Sequence, residues 1–120
     1  MMDAKELGKL GEEMAVSFLS EKAYEILFRN YIYDRAETDI VAKDGNEIVF
    51  IEVKSRMSAY LSDPALLVSR KKQNQIIKVA DHVMKEHFPD HNFRFDIIIV
   101  ITNNKYTSIE HIEEAFYPMI

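Results

Sequence analysis

The chain reads as a mixed α/β or α+β sandwich, a sheet flanked by helices in the order α-β-β-β-α-β-β. Three observations predict it. Two stretches, residues 4–21 and a run ending near Phe88, repeat apolar side chains at helical spacing. Between them lie three runs rich in β-branched and aromatic residues, separated by turn residues as in a meander. Finally, Ile97 to Ile101 is apolar at every position, the pattern of a strand buried on both faces. At 120 residues, 48% hydrophobic and 29% charged, the whole chain is expected to form a single domain, residues 1–120.

The elements follow in order. Ala4, Leu7, Leu10, Met14 and Phe18 mark the first helix. Tyr24 to Tyr33 is the first strand, Asp34-Arg35-Ala36 a turn, and Glu37 to Lys43 the second strand. Asp44-Gly45-Asn46 is the clearest hairpin signal and leads into Glu47 to Ser55. A loop through Asp63-Pro64 precedes the second long helix, carried by Ile76, Ile77, Val79, Ala80, Val83 and Met84 and ended by Pro89. Phe93 to Ile101 is the central strand. Asn103-Asn104 then turns the chain into a short last strand, Ser108 to Ile112.

Composition removes several function classes. With no cysteine there is no disulfide framework, thiolate zinc site or cysteine nucleophile, which fits a reducing compartment. No run approaches the ~18 apolar residues that span a bilayer. The charged start, Met1 to Glu6, lacks a signal core, so a cytoplasmic protein is expected. The four histidines make no ligand set, because Pro89 breaks the helix between His87 and His91; they are expected at the surface or rim. Glycine-rich phosphate loops and a G-x-S-x-G elbow are absent from the sequence. Tyr24, Phe28, Tyr31 and Tyr33 are read as strand packing rather than base-stacking platforms.

The net charge of −5 hides an uneven distribution. From Lys54 to Lys78 there are six basic residues (Lys54, Arg56, Arg70, Lys71, Lys72, Lys78) and one acid, Asp63. The rest of the chain carries nine basic against nineteen acidic residues. Ser69 is a plausible N-cap, which places Arg70-Lys71-Lys72 in the first turn of a helix. Cations there oppose the helix dipole and suit an arriving anion such as phosphate. The plainer alternative is a solvated charged face.

Chemistry is expected where charge enters an apolar strand. Alternation puts Ile48, Phe50, Glu52 and Lys54 on one face and Val49, Ile51 and Val53 on the other. Glu52 and Lys54 stand about 6.5 Å apart along the strand, within reach of one reacting centre. Across the hairpin, Asp39 falls level with Glu52 or Lys54, depending on the turn register. Two carboxylates ~5 Å apart repel by around 3 kcal/mol at an effective dielectric of 20. Such a pair persists if a divalent cation lies between them or one acid stays protonated. Oxygen ligands suit Mg²⁺ or Mn²⁺. On the first helix Glu12 borders the buried arc while Glu13 points to solvent. Gly8 and Gly11 each cost nearly 1 kcal/mol in a helix interior, which suggests close approach of the backbone to a neighbour. A surface ladder of Glu and Lys and an ordinary helix-rim glutamate are the alternatives.

Asp39 followed by Glu52-Val53-Lys54 on the next strand resembles the D-(x)n-E-x-K signature of PD-(D/E)XK nucleases, whose fold is restriction-endonuclease-like with an α-β-β-β-α-β core. More closely, the chain resembles the uncharacterised YraN family over nearly its whole length. The matching segments are Gly8…Gly11-Glu12…Ala15, Tyr24…Ile26…Asn30, Glu37-Thr38-Asp39-Ile40, Val49 to Arg56, Lys72-Gln73, Arg94-Phe95-Asp96 and Ala115-Phe116. Ala36 stands where that family has glycine, and Thr38 where it usually has an aliphatic residue.

The resemblance implies a metal-dependent nuclease related to Holliday-junction resolvases. In that reading Asp39 and Glu52 bind Mg²⁺ or Mn²⁺, Glu12 assists from the first helix, and Lys54 activates water or stabilises charge on phosphate. Gln73 helps hold the site, while Arg56, Arg70, Lys71 and Lys72 meet the nucleic-acid backbone. DNA, branched or otherwise structured, is the expected partner ahead of RNA, in repair or recombination. A homodimer would suit a two-fold junction by analogy. The alternatives are a non-catalytic nucleic-acid-binding module with the same fold, and an interaction domain whose acids only solvate a sheet edge.

Overall fold

The computed structural model describes residues 2–58 and 68–118. The elements are α1 (Ala4–Glu21), β1 (Glu25–Tyr33), β2 (Ala36–Asp44), β3 (Glu47–Arg56), α2 (Arg70–His87), β4 (Asn92–Thr102) and β5 (Thr107–Phe116). The expected loop through Asp63-Pro64 lies outside the described residues. The five strands form one mixed sheet in the order β1-β2-β3-β4-β5. β1 to β3 are an antiparallel meander, β3 and β4 run parallel, and β5 returns antiparallel to β4. A parallel neighbour needs a crossover, and α2 supplies it.

The two helices cover opposite faces. α2 places Ile76, Val79, Ala80 and Val83 over Phe50, Phe95, Ile97 and Ile99. α1 places Ala15 and Leu19 over Ile40, Val49, Ile51, Ile98 and Val100. The alternating residues of Ile97–Ile101 thus belong to both cores, which is why that run has no polar face.

Both turns of the β1–β3 meander have two residues, whereas the β4–β5 hairpin, closed by Thr102–Thr107, has four. Asp34 and Arg35 carry φ of 48° and 68°, so Ala36 is the first residue of β2 rather than part of the turn. Gly45 has φ of 61°, and the Asp44–Glu47 pair closes its turn, as a primed hairpin requires. Asp3 and Ser69 cap the helices, accepting from Glu6 N–H at 2.8 Å and Lys72 N–H at 3.1 Å.

Two expectations need correction. The buried line of α1 is Gly11, Ala15 and Leu19, while Leu10 is 36% exposed. Small residues let the helix settle close to the sheet, which rotates the core arc away from Leu10. β5 is also longer than Ser108–Ile112: its ladder shifts between the Ile97–Ile112 and Phe95–Phe116 pairs and then resumes. Glu114, with φ of 51°, donates its N–H to the Asp96 carboxylate at 3.1 Å. A side chain therefore bridges the bulge, and Glu113-Glu114 does not end the strand.

Candidate active site

β2 and β3 pair in register from Asp44–Glu47 up to Ile40–Ile51. Extending that register puts Asp39 level with Glu52, which settles the choice that the sequence left open. The backbone ladder does not continue there. Instead Asp39 Oδ2 accepts the N–H of Val53 at 2.8 Å, so a carboxylate takes the place of a main-chain acceptor as the strands part. The fork opens a cleft of about 290 Å³, lined by α1 (Ala4, Leu7, Gly8, Glu12), by Asp39, and by β3 from Glu52 to Arg56. Glu12, Asp39, Glu52 and Lys54 thus line one cleft, with Asp39 the common neighbour of Glu12 and Glu52; among the described residues the three carboxylates do not converge within 4.8 Å of one another.

The electrostatics are those of an under-neutralised acid pair. Glu52 is 5% exposed, and burial together with the neighbouring Asp39 pushes its carboxyl up to about 8. Lys72 and Lys54 pull the other way, Lys72 more strongly. Lys54 folds back so that its Nζ lies 3.8 Å from Glu52 Oε1, closer than strand geometry alone suggested. Glu52 Oε2 is buried without a hydrogen-bond partner. Glu12 is half-buried, and burial and Asp39 raise its pKa as well, while the Asn30 side chain and Arg29 oppose the rise. Asn30 stands opposite Asp39 at a φ of 51°, a role that strand periodicity gave no reason to expect.

Close helix approach has a definite cause. A Cβ on Gly11 would lie 1.8 Å from Ser55 Oγ, whereas one on Gly8 would meet nothing within 4 Å. Gly11 therefore seats α1 against β3, and Gly8 is open to the cleft. Among the described residues, four buried side-chain polar atoms lack partners: Thr38 Oγ1, Glu52 Oε2, Ser55 Oγ and His91 Nδ1. Three of the four belong to the cleft wall or adjoin Asp39. Buried polar groups are nearly always paired, so their concentration here marks the region.

The remaining expected residues divide. Lys72 Nζ donates to the Glu37 carbonyl at 3.4 Å, which holds its charge near the acids. Arg56 lies on the cleft wall and donates to the Ser55 carbonyl. Arg70 and Lys71 are exposed in the first turn of α2. Lys78 is instead taken up by Asp34. Gln73 is buried but does not line the cleft: Nε2 donates to the Val68 carbonyl at 3.0 Å, and Oε1 accepts from Arg70 Nη1 at 2.7 Å. It secures the lead-in to α2, and with it the position of Lys72.

At the far end of the sheet lies a cluster that the sequence reading missed. Arg94 donates to Asp96, Asp44, Glu47 and Tyr24, with its shortest bond 2.6 Å to Glu47. Asp96 is fully buried and also meets His111 Nε2 at 2.7 Å. Lys22 Nζ donates to His111 Nδ1 at 2.8 Å. Of the surface or rim position expected for His111, only the rim fits: the residue is partly buried and its side chain is 3% exposed. Among the described residues, Asp96, His111 and Glu113 bring ligand-type atoms within 4.8 Å of one another. Arg94 already supplies the positive charge there, so the cluster reads as a structural ion network.

The family model described as "Uncharacterised protein family UPF0102" matches residues 11–100. This chain belongs to that family. The match spans the Gly11-Glu12 pair, Asp39, the Glu52-Val53-Lys54 segment and Arg94 to Asp96. The chain is similar to a UPF0102 protein of Christiangramia forsetii, 45% identical over 117 residues, covering 98% of both chains. Similar proteins occur in Phocaeicola vulgatus, 42% identical over 120 residues (100% of this chain and 99% of the other). Another occurs in Bacteroides thetaiotaomicron, 43% identical over 118 residues and 98% of each chain. The YraN resemblance seen in the sequence is this same family. No helix of the described residues is long and apolar enough to cross a membrane.

Proposed function

We propose that this UPF0102 member is a metal-dependent nuclease that hydrolyses phosphodiester bonds, with DNA as its substrate. One observation carries the reading: Asp39 and Glu52, from neighbouring strands, border a single cleft with a buried Glu52 oxygen left unpartnered beside two lysines. A fold gains no stability from such a pair, so a ligand is the reasonable purpose. The donor set fits a hard divalent cation, since it is all oxygen and includes that orphaned Oε2. Asp39 and Glu52 would hold the ion, and Glu12, on the α1 side of the same cleft, would add its charge beside Asp39. Bound there, Mg²⁺ or Mn²⁺ would supply a Lewis acid that lowers the pKa of a water and offsets charge on phosphate oxygens.

The chain's own groups account for the rest. Val53 N–H fixes the Asp39 carboxylate, so its second oxygen is presented to the cleft in one orientation. Lys54, with 24% of its side chain exposed, can donate a hydrogen bond to a nonbridging phosphate oxygen or orient the attacking water. Lys72 lends a second positive charge from α2. Arg56, Arg70 and Lys71 would position the phosphate backbone without reading sequence.

The test is cleavage of linear, branched and single-stranded oligonucleotides with Mg²⁺ or Mn²⁺. Wild type should cut, and Glu52→Ala should lose at least about a hundredfold in rate, the scale of removing one electrostatic stabiliser. Salt-dependent binding without cleavage under either metal would replace this reading with the binding-module one.

A further inference from the structure

Beside the acid cleft lies a second hollow of different character. Its volume is about 390 Å³, and it is lined by Met2, Leu7, Met57, Thr102, Asn103 and Asn104. Leu7 belongs to both spaces, and Met57 directly follows Arg56 of the cleft wall. Among the described residues, none that lines it is charged, in a chain where 29% of residues are. Met2 and Met57 are 38% and 44% exposed, so these apolar side chains stand at the rim instead of in the core.

The far wall is held rigid. Asn103 Nδ2 donates to the Met57 carbonyl at 2.8 Å, while Oδ1 accepts the N–H groups of Lys105 and Tyr106 at 2.8 and 3.0 Å. The β4–β5 turn is thereby tied to the end of β3, and the hollow is shaped before any ligand arrives. Asn104 adds an exposed amide at its edge.

We propose that this hollow receives an unpaired nucleobase from the strand whose phosphate sits among Asp39, Glu52 and Lys54. The inference rests on the nuclease reading and deepens it: the substrate is a nucleic acid with an unpaired or extruded nucleotide beside the scissile phosphate. Three features select that occupant. A lining with no charge among the described residues gives a second phosphate no cation to pair with. Thioether sulfur and aliphatic walls suit the faces of an aromatic ring, and an amide at the rim suits a base edge. Continuity with the cleft through Leu7 places the ring on the same strand, next to the reacting phosphate. Extrusion costs least for a base that is already unpaired.

Fluorescence anisotropy of the full chain in EDTA, where nothing is cut, tests the proposal. The probes are a duplex with a one-nucleotide bulge, the same duplex with an abasic bulge, and a fully paired duplex. The base-bearing bulge should bind roughly tenfold tighter than the abasic one, the scale of sequestering one base. Met57→Ser should reduce that preference to less than about threefold and leave the paired duplex unaffected. Because Met57 is well exposed, this variant keeps the fold. Equal affinity for base and abasic bulges overturns the proposal alone, as it would if the hollow took an apolar peptide side chain. A preference that survives Met57→Ser also overturns it. No binding to any of the three probes brings down the nuclease reading as well.

Discussion

The two ends of β3 hold buried charge in opposite ways. At the Glu47 end, Arg94 and Asp96 form a network in which nearly every donor has an acceptor and one guanidinium gathers the surrounding carboxylates. At the Glu52 end, two carboxylates face each other, one oxygen has no partner, and Lys54 stands 3.8 Å away. The first arrangement is what a fold does to keep charge inside; the second is what a fold tolerates to keep charge available. The contrast is why the first cluster is read as structural and the second is the one proposed to do chemistry, although both contain acids at the margin of the same sheet.

Breaking the structural end should produce the largest effect. Arg94→Ala strands the fully buried Asp96 and should cost about 3–5 kcal/mol in urea unfolding, as loss of one partner from a buried ion network does. The other end should respond with the opposite sign. Glu52→Gln removes a repelled, desolvated carboxylate and should raise stability by about 2–3 kcal/mol at pH 8 while lowering metal-dependent cleavage. The pH dependence follows from the raised carboxyl. Metal-free wild type binds the Glu52 proton more tightly when folded, so this contribution is complete below about 4.5 and is lost as pH rises through about 8. The advantage of Glu52→Gln should therefore vanish near pH 4 and grow toward pH 8 in paired denaturation series.

Two smaller changes sharpen the contrast. Gly11→Ala drives a Cβ to 1.8 Å from Ser55 Oγ. The resulting overpacking should exceed the ~1 kcal/mol gained in helix propensity, leaving a net loss of about 1–2 kcal/mol by thermal denaturation. Thr38→Val removes a fully buried hydroxyl that has no partner. It should stabilise by about 1 kcal/mol and leave Asp39 in place.

Much of this was legible in the sequence because periodicity and turn chemistry agree. The limits of α1 follow its 3.6-residue pattern, and Gly45 announces its own hairpin. Alternation along Ile48 to Lys54 placed Glu52 and Lys54 on one face, but it could not say whether Asp39 faced Glu52 or Lys54, since one residue of register decides that. The roles of Asn30 and of the Arg94 cluster were hidden for another reason. Arg94 and Asp96 look like ordinary strand alternation, and their partners Asp44, Glu47, Tyr24 and His111 come from four other places in the chain. Only the assembled sheet brings them together. The same holds for His111, which reads as a surface or rim residue until α1 and β4 close over its side chain.

Calorimetric titration with Mn²⁺, wild type beside Asp39→Asn, probes the central claim that the cleft acids form a cation site. The account predicts saturable binding near one ion per chain for wild type and its loss in Asp39→Asn, with an unchanged circular dichroism spectrum. Binding of equal strength in both proteins, or none in wild type, would contradict it.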